Sequence, residues 1–218
     1  MPHTMSEEAD ATVLLDLDGT LVDSVHLHVA AWAGALRAGG CSVPLVDIHA
    51  AIGLGSDRLL TWLLGAPPPE AQKLAADHTA RFLAQADLLL PTAGAQELLD
   101  DLLERGVPHA IATSAGDEER EALLSCLDVD QSVPVVGPDA DTASKPAPDL
   151  LRVACQRLGS DPHAATLVGD APWDALAATA IGAQSIAVRC GGFADATLRE
   201  AGADRIVDAP RSLVGVLG

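Results

Sequence analysis

The sequence predicts an α/β protein: a doubly wound parallel sheet of Rossmann-like type, with a small helical domain inserted after the first strand. Three observations carry this. Short apolar runs of β type recur, and each ends in a polar or small residue. Helical patterns alternate with the later runs, the signature of βαβ units and a parallel sheet. One long stretch, from about residue 24 to residue 90, holds only helical periodicity and no good strand.

Taken in order, Thr12 to Leu15 is the first run and leads into Asp16. The helical stretch follows, broken by Gly39-Gly40, Gly53, Gly55 and Pro67 to Pro69. It is too long for a simple crossover. Residues 24–90 are therefore expected to form a helical domain over the carboxyl end of the first strand, and residues 1–23 with 91–218 the core. In the core, Ala93 to Glu104 reads as helix, and His109 to Ala112 as a strand leading into Thr113. A helix over Glu118 to Cys126 precedes the run Val133 to Val136, which leads into Gly137. Pro148 to Leu158 is helical, and Thr166 to Val168 leads into Gly169 and Asp170. Trp173 to Ile181 is the last helical pattern, and Ser185 to Val188 leads into Arg189. Ligands of open parallel sheets sit outside the carboxyl ends of the strands, where these terminal polar residues would gather.

Composition narrows the function. Thirteen basic against 31 acidic side chains give a formal net charge of −18. Such a field repels phosphate backbones and argues against nucleic acid as a partner. An anionic substrate would need a metal and local cations to hold it. Cys41, Cys126, Cys155 and Cys190 are widely spaced without a Cys-x-x-Cys pair, as expected of reduced thiols in a cytoplasmic protein. The polar start, Met1 to Ala11, has no signal-peptide pattern, and no apolar run reaches membrane-spanning length, so no membrane association is expected. Oligomeric state is not legible.

The chemistry-bearing segment is Asp16-Leu17-Asp18-Gly19-Thr20-Leu21-Val22-Asp23-Ser24. Two carboxylates two residues apart at a strand end project towards one region. An ionised one can attack phosphorus, and the other can hand a proton to the leaving oxygen. Asp and Gly are also ordinary residues of a strand-to-turn junction. What decides is the company. Thr113 and Ser114 end the second run with hydroxyls able to donate to a phosphoryl oxygen. Lys145 precedes Pro146-Ala147-Pro148, a rigid turn that fixes where it points. Asp170, with Asp174 four residues on, adds the hard oxygen ligands that suit Mg2+. Nucleophile, metal ligands and cations are the set that phosphoryl transfer requires.

Four segments in this order resemble the haloacid dehalogenase superfamily, in the branch with a helical cap inserted after the first strand. They are the Asp16 to Ser24 segment, Ile111-Ala112-Thr113-Ser114, Ser144-Lys145-Pro146-Ala147-Pro148-Asp149, and Val168-Gly169-Asp170 with Asp174. The resemblance spans essentially the whole chain. It implies a Mg2+-dependent phosphatase of a small phosphorylated metabolite, with Asp16 as nucleophile and Asp18 as general acid/base. Thr113 and Lys145 would orient and neutralise the phosphoryl group. Asp16, the backbone carbonyl of Asp18, and Asp170 would hold Mg2+, with Asp174 in support. Ala171 and Ser144 depart from the family's usual residues without removing a group the mechanism needs.

Asp18 disfavours the dehalogenases, which lack that second aspartate. The segment Asp23 to Trp32, with His28 and Trp32, is similar to β-phosphoglucomutase-like isomerases, although Gly169-Asp170 has the phosphatase-like form. A catalytically silent binding protein on the same fold is a third reading. Candidate substrate contacts are Ser114, His28 and Arg58, the last two also readable as a packed histidine and a solvated charge. Gly53-Leu54-Gly55-Ser56 is either a loop reaching into the site or a turn between helices. Trp62 is expected in the interior of the helical region.

Overall fold

The computed structural model describes residues 11–139 and 144–218. Residues 1–10, most of the polar start read above, lie outside the described residues. Six parallel strands form one sheet: β1 (Thr12–Leu15), β2 (His109–Ala112), β3 (Val135–Val136), β4 (Ala165–Gly169), β5 (Gln184–Val188) and β6 (Arg205–Val207). Their order is β3-β2-β1-β4-β5-β6, which puts β1 at the centre between β2 and β4. In register, Leu15 pairs with Ile111 on one side and Val168 on the other. The strand ends carrying the candidate residues are thus brought level with one another.

The strands are apolar beyond their first one or two positions because both faces of the sheet are covered; Thr12, His109, Thr166, Gln184, Ser185 and Arg205 all fall at strand starts. Side chains alternate between faces. Val13, Leu15, Ile111 and Val168 enter one buried cluster with Leu98, Leu99, Leu102 and Leu123. Those leucines come from α5 (Ala95–Glu104) and α6 (Asp117–Leu124). Leu14, Ala110, Ala112 and Leu167 enter the opposite cluster with Leu150, Leu151, Ala154, Ala177 and Ala178. These come from α7 (Asp149–Leu158) and α8 (Pro172–Ile181). Each fully buried leucine contributes roughly 1.5–3 kcal/mol of transfer free energy, so the sandwich is stabilised chiefly by aliphatic burial.

Between β1 and residue 90 the described residues form helices and turns without a named strand. They are α1 (Val25–Ala38), α2 (Leu45–Ala51), α3 (Ser56–Leu64), α4 (Ala71–Leu83) and a 3-10 turn at Ala86–Leu88. They share a cluster of their own, with Trp32, Leu36, Ile48, Leu59, Leu60 and Leu74 at its centre. The two chain connections to the core run side by side: Asp23 N donates to Leu90 O at 2.8 Å, and Thr92 N to Leu21 O at 2.9 Å.

Three expectations need correction. The third strand starts at Val135, because Val133 N is taken by a turn bond to Asp130 O and Pro134 has no N–H to give. Strand β6 and the short helix α9 (Asp195–Glu200) fell outside the predicted elements; β6 has three residues and begins with an exposed arginine, too little for periodicity to reveal. Trp62 is 49% exposed instead of interior. The buried side of α3 is Leu59 and Leu60, and Trp62 faces Trp173 edge-on, with ring centroids 6.4 Å apart.

Candidate active site

Asp16 follows the last residue of β1, held by a bond from its backbone N to Val168 O at 2.9 Å. The chain then turns sharply: Leu21 N and Val22 N both donate to Leu17 O. Gly19 makes this possible with φ +71°, and a Cβ there would stand 2.4 Å from Asp170 Oδ2. Thr20 is directed back by the same turn. Its hydroxyl lies 3.3 Å from Asp16 Oδ2 and 3.0 Å from Asp170 Oδ1, joining two carboxylates from neighbouring strands.

From the ends of β2 and β4, the loop before α7 and the first turn of α8, the structure brings Thr113, Ser114, Lys145, Asp170 and Asp174 to the carboxyl side of the sheet. Thr113 is fully buried, and its Oγ1 accepts from Ala115 N at 3.0 Å. Ser114 Oγ accepts from Lys145 N at 3.3 Å, tying the second segment to the third. The Lys145 ammonium pairs with Asp16 and lies 2.8 Å from Asp174 Oδ1. Asp174 Oδ2 in turn accepts from Ala171 N at 3.0 Å, which fixes the carboxylate at the start of α8.

One oxygen each from Asp16, Asp170 and Asp174 lies within 4.8 Å of the others, and all three residues are buried. A single ammonium among three buried carboxylates leaves an excess of negative charge. The titration shifts express the same imbalance. Burial, with Asp174 and Asp18 nearby, raises the Asp16 carboxyl to about 7 despite Lys145. Burial and the neighbouring Asp16 and Asp174 also hold Asp170 well above the usual range. Burial alone would lower the Lys145 ammonium, but Asp16 and Asp174 outweigh it and raise its pKa. An all-oxygen, net-negative cluster of this kind fits a hard divalent cation.

Asp18 stands apart from this cluster. Ser24 Oγ donates to its Oδ1 at 2.7 Å, and His28 Nε2 lies 2.8 Å from the same oxygen. Together with Asp16 it lines a cavity of about 50 Å³ roofed by helical-region residues, among them His28, Trp32, Ile52, Leu54 and Ser56. The Gly53 to Ser56 loop therefore does reach the site. Its Gly55 lies so near the core loop that a Cβ would stand 2.1 Å from Ser144 Oγ. On the same side, His49 Nε2 donates to Gly191 O at 2.8 Å, a second contact between the helices and the core. Arg58 is exposed and lines outer hollows beside Trp62 and Ser144, not the small cavity at Asp16.

Sequence reasoning missed Thr20, His78 and Glu119. Thr20 sits inside the leading segment and had no role assigned, although a hydroxyl two residues past Asp18 is well placed to bridge acids across a tight turn. His78 and Glu119 line the cavity from α4 and α6. A signal for His78 existed: His28 and Trp32 are four apart on α1, and His78 and Phe82 four apart on α4. The four rings stack pairwise, His28 on Phe82 at 4.0 Å and Trp32 on His78 at 4.2 Å. Nothing in the spacing of Glu119 marked it.

Comparison with known proteins agrees with this geometry. The family model of the haloacid dehalogenase-like hydrolases matches residues 11–182. The N-acetylmuramic acid 6-phosphate phosphatase of Pseudomonas aeruginosa is 30% identical over 94% of this chain and 93% of its own. The phosphoglycolate phosphatase of Caulobacter vibrioides is 28% identical, covering 98% and 95%. Among solved structures, a hydrolase from Pseudomonas syringae superposes with a TM-score of 0.90 at 32% identity, over 94% of this chain and 96% of that one.

Proposed function

The chain belongs to the haloacid dehalogenase-like hydrolase family and hydrolyses small phosphate monoesters, and on that footing we propose that it acts with Mg2+ through an aspartyl phosphate on Asp16. The observation that carries this is the meeting of Asp16, Asp170 and Asp174 around Lys145, with Asp18 a short step away. In this reading Asp16 attacks phosphorus in line, forming an O–P bond as the ester P–O bond breaks. Asp18 gives its proton to the departing alkoxide. Asp18 then takes a proton from water, which attacks the aspartyl phosphate, releasing phosphate and restoring Asp16. Lys145 and the hydroxyls of Thr113 and Ser114 hold the phosphoryl oxygens. Mg2+, held by Asp16, Asp170 and the Asp18 carbonyl with Asp174 in support, would supply the positive charge that an otherwise anionic site lacks.

We take residues 24–90 as a cap over this site, reading the core as residues 1–23 and 91–218. The separate core of these helices and their paired connections to the sheet support that division. A cavity of about 50 Å³ corresponds to a closed arrangement, from which the cap must lift to admit substrate. Its polar wall of His28, His78, Ser56 and Glu119 supports a small hydroxyl-bearing ester as substrate. His28 belongs to that wall, whereas Arg58 would meet only a substrate extending into the outer hollows. The cysteines of the described residues are unpaired, which supports a cytoplasmic setting.

The test is phosphate release from a panel of small esters, including β-glucose 1-phosphate, with Mg2+ and with chelator. Metal-dependent release is expected, and Asp16→Asn should abolish it while leaving the fold intact. Normal turnover by Asp16→Asn would exclude the mechanism. Conversion of β-glucose 1-phosphate to the 6-phosphate without release would assign a phosphosugar isomerase.

A further inference from the structure

We propose that His78 and Glu119 are positioning residues for Asp18, acting through His28; this rests on the reading of Asp18 as the general acid/base. The four side chains lie in a line of two hydrogen-bond contacts and one ion-pair contact. Asp18 Oδ1 lies 2.8 Å from His28 Nε2, and His28 Nδ1 lies 3.0 Å from His78 Nε2. His78 Nδ1 closes the line on Glu119 Oε1 at 3.2 Å, at ion-pair distance and off the axis of an aligned hydrogen bond. The Thr79 hydroxyl, next along α4, donates to the same Glu119 Oε1 at 2.5 Å.

The line crosses the molecule. Asp18 and Glu119 belong to the core, whereas His28 and His78 ride on α1 and α4 of the helical region. Both imidazoles are buried, and each ring is clamped face-on by an aromatic neighbour. Stacking holds each ring plane, and the contacts of both His28 nitrogens and of His78 Nε2 select which way round the rings sit. A buried carboxylate at the far end fixes which way the His78 ring faces, as carboxylates orient ligating histidines in metal sites. Asp18 is only partly buried; Ser24 holds its Oδ1 from the core at 2.7 Å, and His28 supplies the second hold on that oxygen from the helical region. Seating the helices on the core therefore completes the line and sets Asp18 in the same motion. Opening them breaks it at two joints.

A loss confined to proton donation has a distinct kinetic mark. p-Nitrophenolate leaves without help, whereas phenolate needs a proton, so a misplaced acid slows phenyl phosphate more than p-nitrophenyl phosphate. The experiment compares kcat/KM, with KM also read separately, on these two esters with saturating Mg2+; kcat/KM ends at departure of the phenolate and so leaves out the later water attack, in which Asp18 also serves. The proteins are the wild type, Glu119→Ala, Glu119→Gln, His78→Ala and Asp18→Asn. Glu119→Ala and His78→Ala should lower kcat/KM on phenyl phosphate by about tenfold to a hundredfold, the scale of a small misplacement. The loss of kcat/KM on p-nitrophenyl phosphate should be clearly smaller, with KM little changed. Glu119→Gln keeps an acceptor for the line and should recover much of the difference. Equal losses on both esters, or a rise in KM alone, would overturn the proposal in favour of packing or substrate contact. A second divalent ion per chain that is lost in Glu119→Ala would assign the His28, His78 and Glu119 group to a metal and overturn it as well. Asp18→Asn separates the two levels. If it shows no leaving-group dependence, the acid role of Asp18 fails; if it does and Glu119→Ala does not, only the positioning role fails.

Discussion

Lys145 Nζ stands 2.8 Å from Asp174 Oδ1 while pairing with Asp16, so one buried cation serves two carboxylates, one after β1 and one in the first turn of α8. Replacing it with Lys145→Met would leave both acids buried without a cation, with only the Thr20 hydroxyl on Asp16 and Ala171 N on Asp174. Breaking such a pair costs about 3–5 kcal/mol. The variant should melt well below the wild type in chelator, and Mg2+ should recover part of the difference. Turnover should fall by at least roughly a hundredfold, the scale of losing one donor to a developing charge. Thermal unfolding with and without Mg2+, beside phosphate release, checks both.

Metal-free stability should fall as pH rises. The Asp16 carboxyl is raised to about 7 from an ordinary 3.8, chiefly by burial. A group shifted upward favours the folded state in its protonated form. Its contribution is complete below the unfolded value and is lost as pH passes through the folded one. Asp170 moves in the same direction. Denaturant midpoints measured in chelator should therefore decline as pH rises from the unfolded value of 3.8 to the folded value of about 7. Mg2+ should flatten the decline, because it binds the ionised cluster. Asp16→Asn should also reduce it.

Glu119 gives the opposite slope. Burial would raise its carboxyl, but His78, His28 and the Thr79 hydroxyl outweigh burial and hold it at about 2, from 4.5. Its contribution is present above the unfolded value and disappears as pH falls through the folded one. The stability difference between wild type and Glu119→Gln should be largest near neutral pH and vanish in acid, as read from denaturant midpoints across that range.

Gly19→Ala should act on the metal, not on the nucleophile. The added methyl would lie 2.4 Å from Asp170 Oδ2, and φ +71° penalises any side chain there. The backbone strain is of order 1–2 kcal/mol. A higher Mg2+ requirement is expected from the displacement of Asp170, measured as the concentration giving half-maximal phosphate release.

These expectations draw unequally on sequence and structure. Asp16, Thr113 and Asp170 were legible because each follows an apolar run, and a parallel sheet brings such ends together whatever the intervening chain; Lys145 was legible from the rigid Pro146-Ala147-Pro148 turn that follows it. The helical character of residues 24–90 was legible because glycines and prolines punctuate its periodicity. Strand β6 was not, since three residues at a sheet edge carry no period. Trp62 misled because hydrophobicity alone does not say which side of α3 is covered. The partnership of His78 with Glu119 lay beyond reach for another reason: it depends on how α4 settles against α6, a tertiary contact between segments some forty positions apart.

The position of β1 at the middle of the sheet has one more consequence. Thr20 bonds Asp170 across 150 residues of chain, and Lys145 meets Asp16 across 129. Closing loops of that length carries an entropic penalty that is met only when the intervening strands have docked. No contiguous fragment short of β4 contains the whole constellation. Catalysis therefore has to emerge late in the life of a nascent chain, once the fourth strand and the start of α8 have been delivered, and the appearance of turnover is itself a clock for the docking of β4 beside β1.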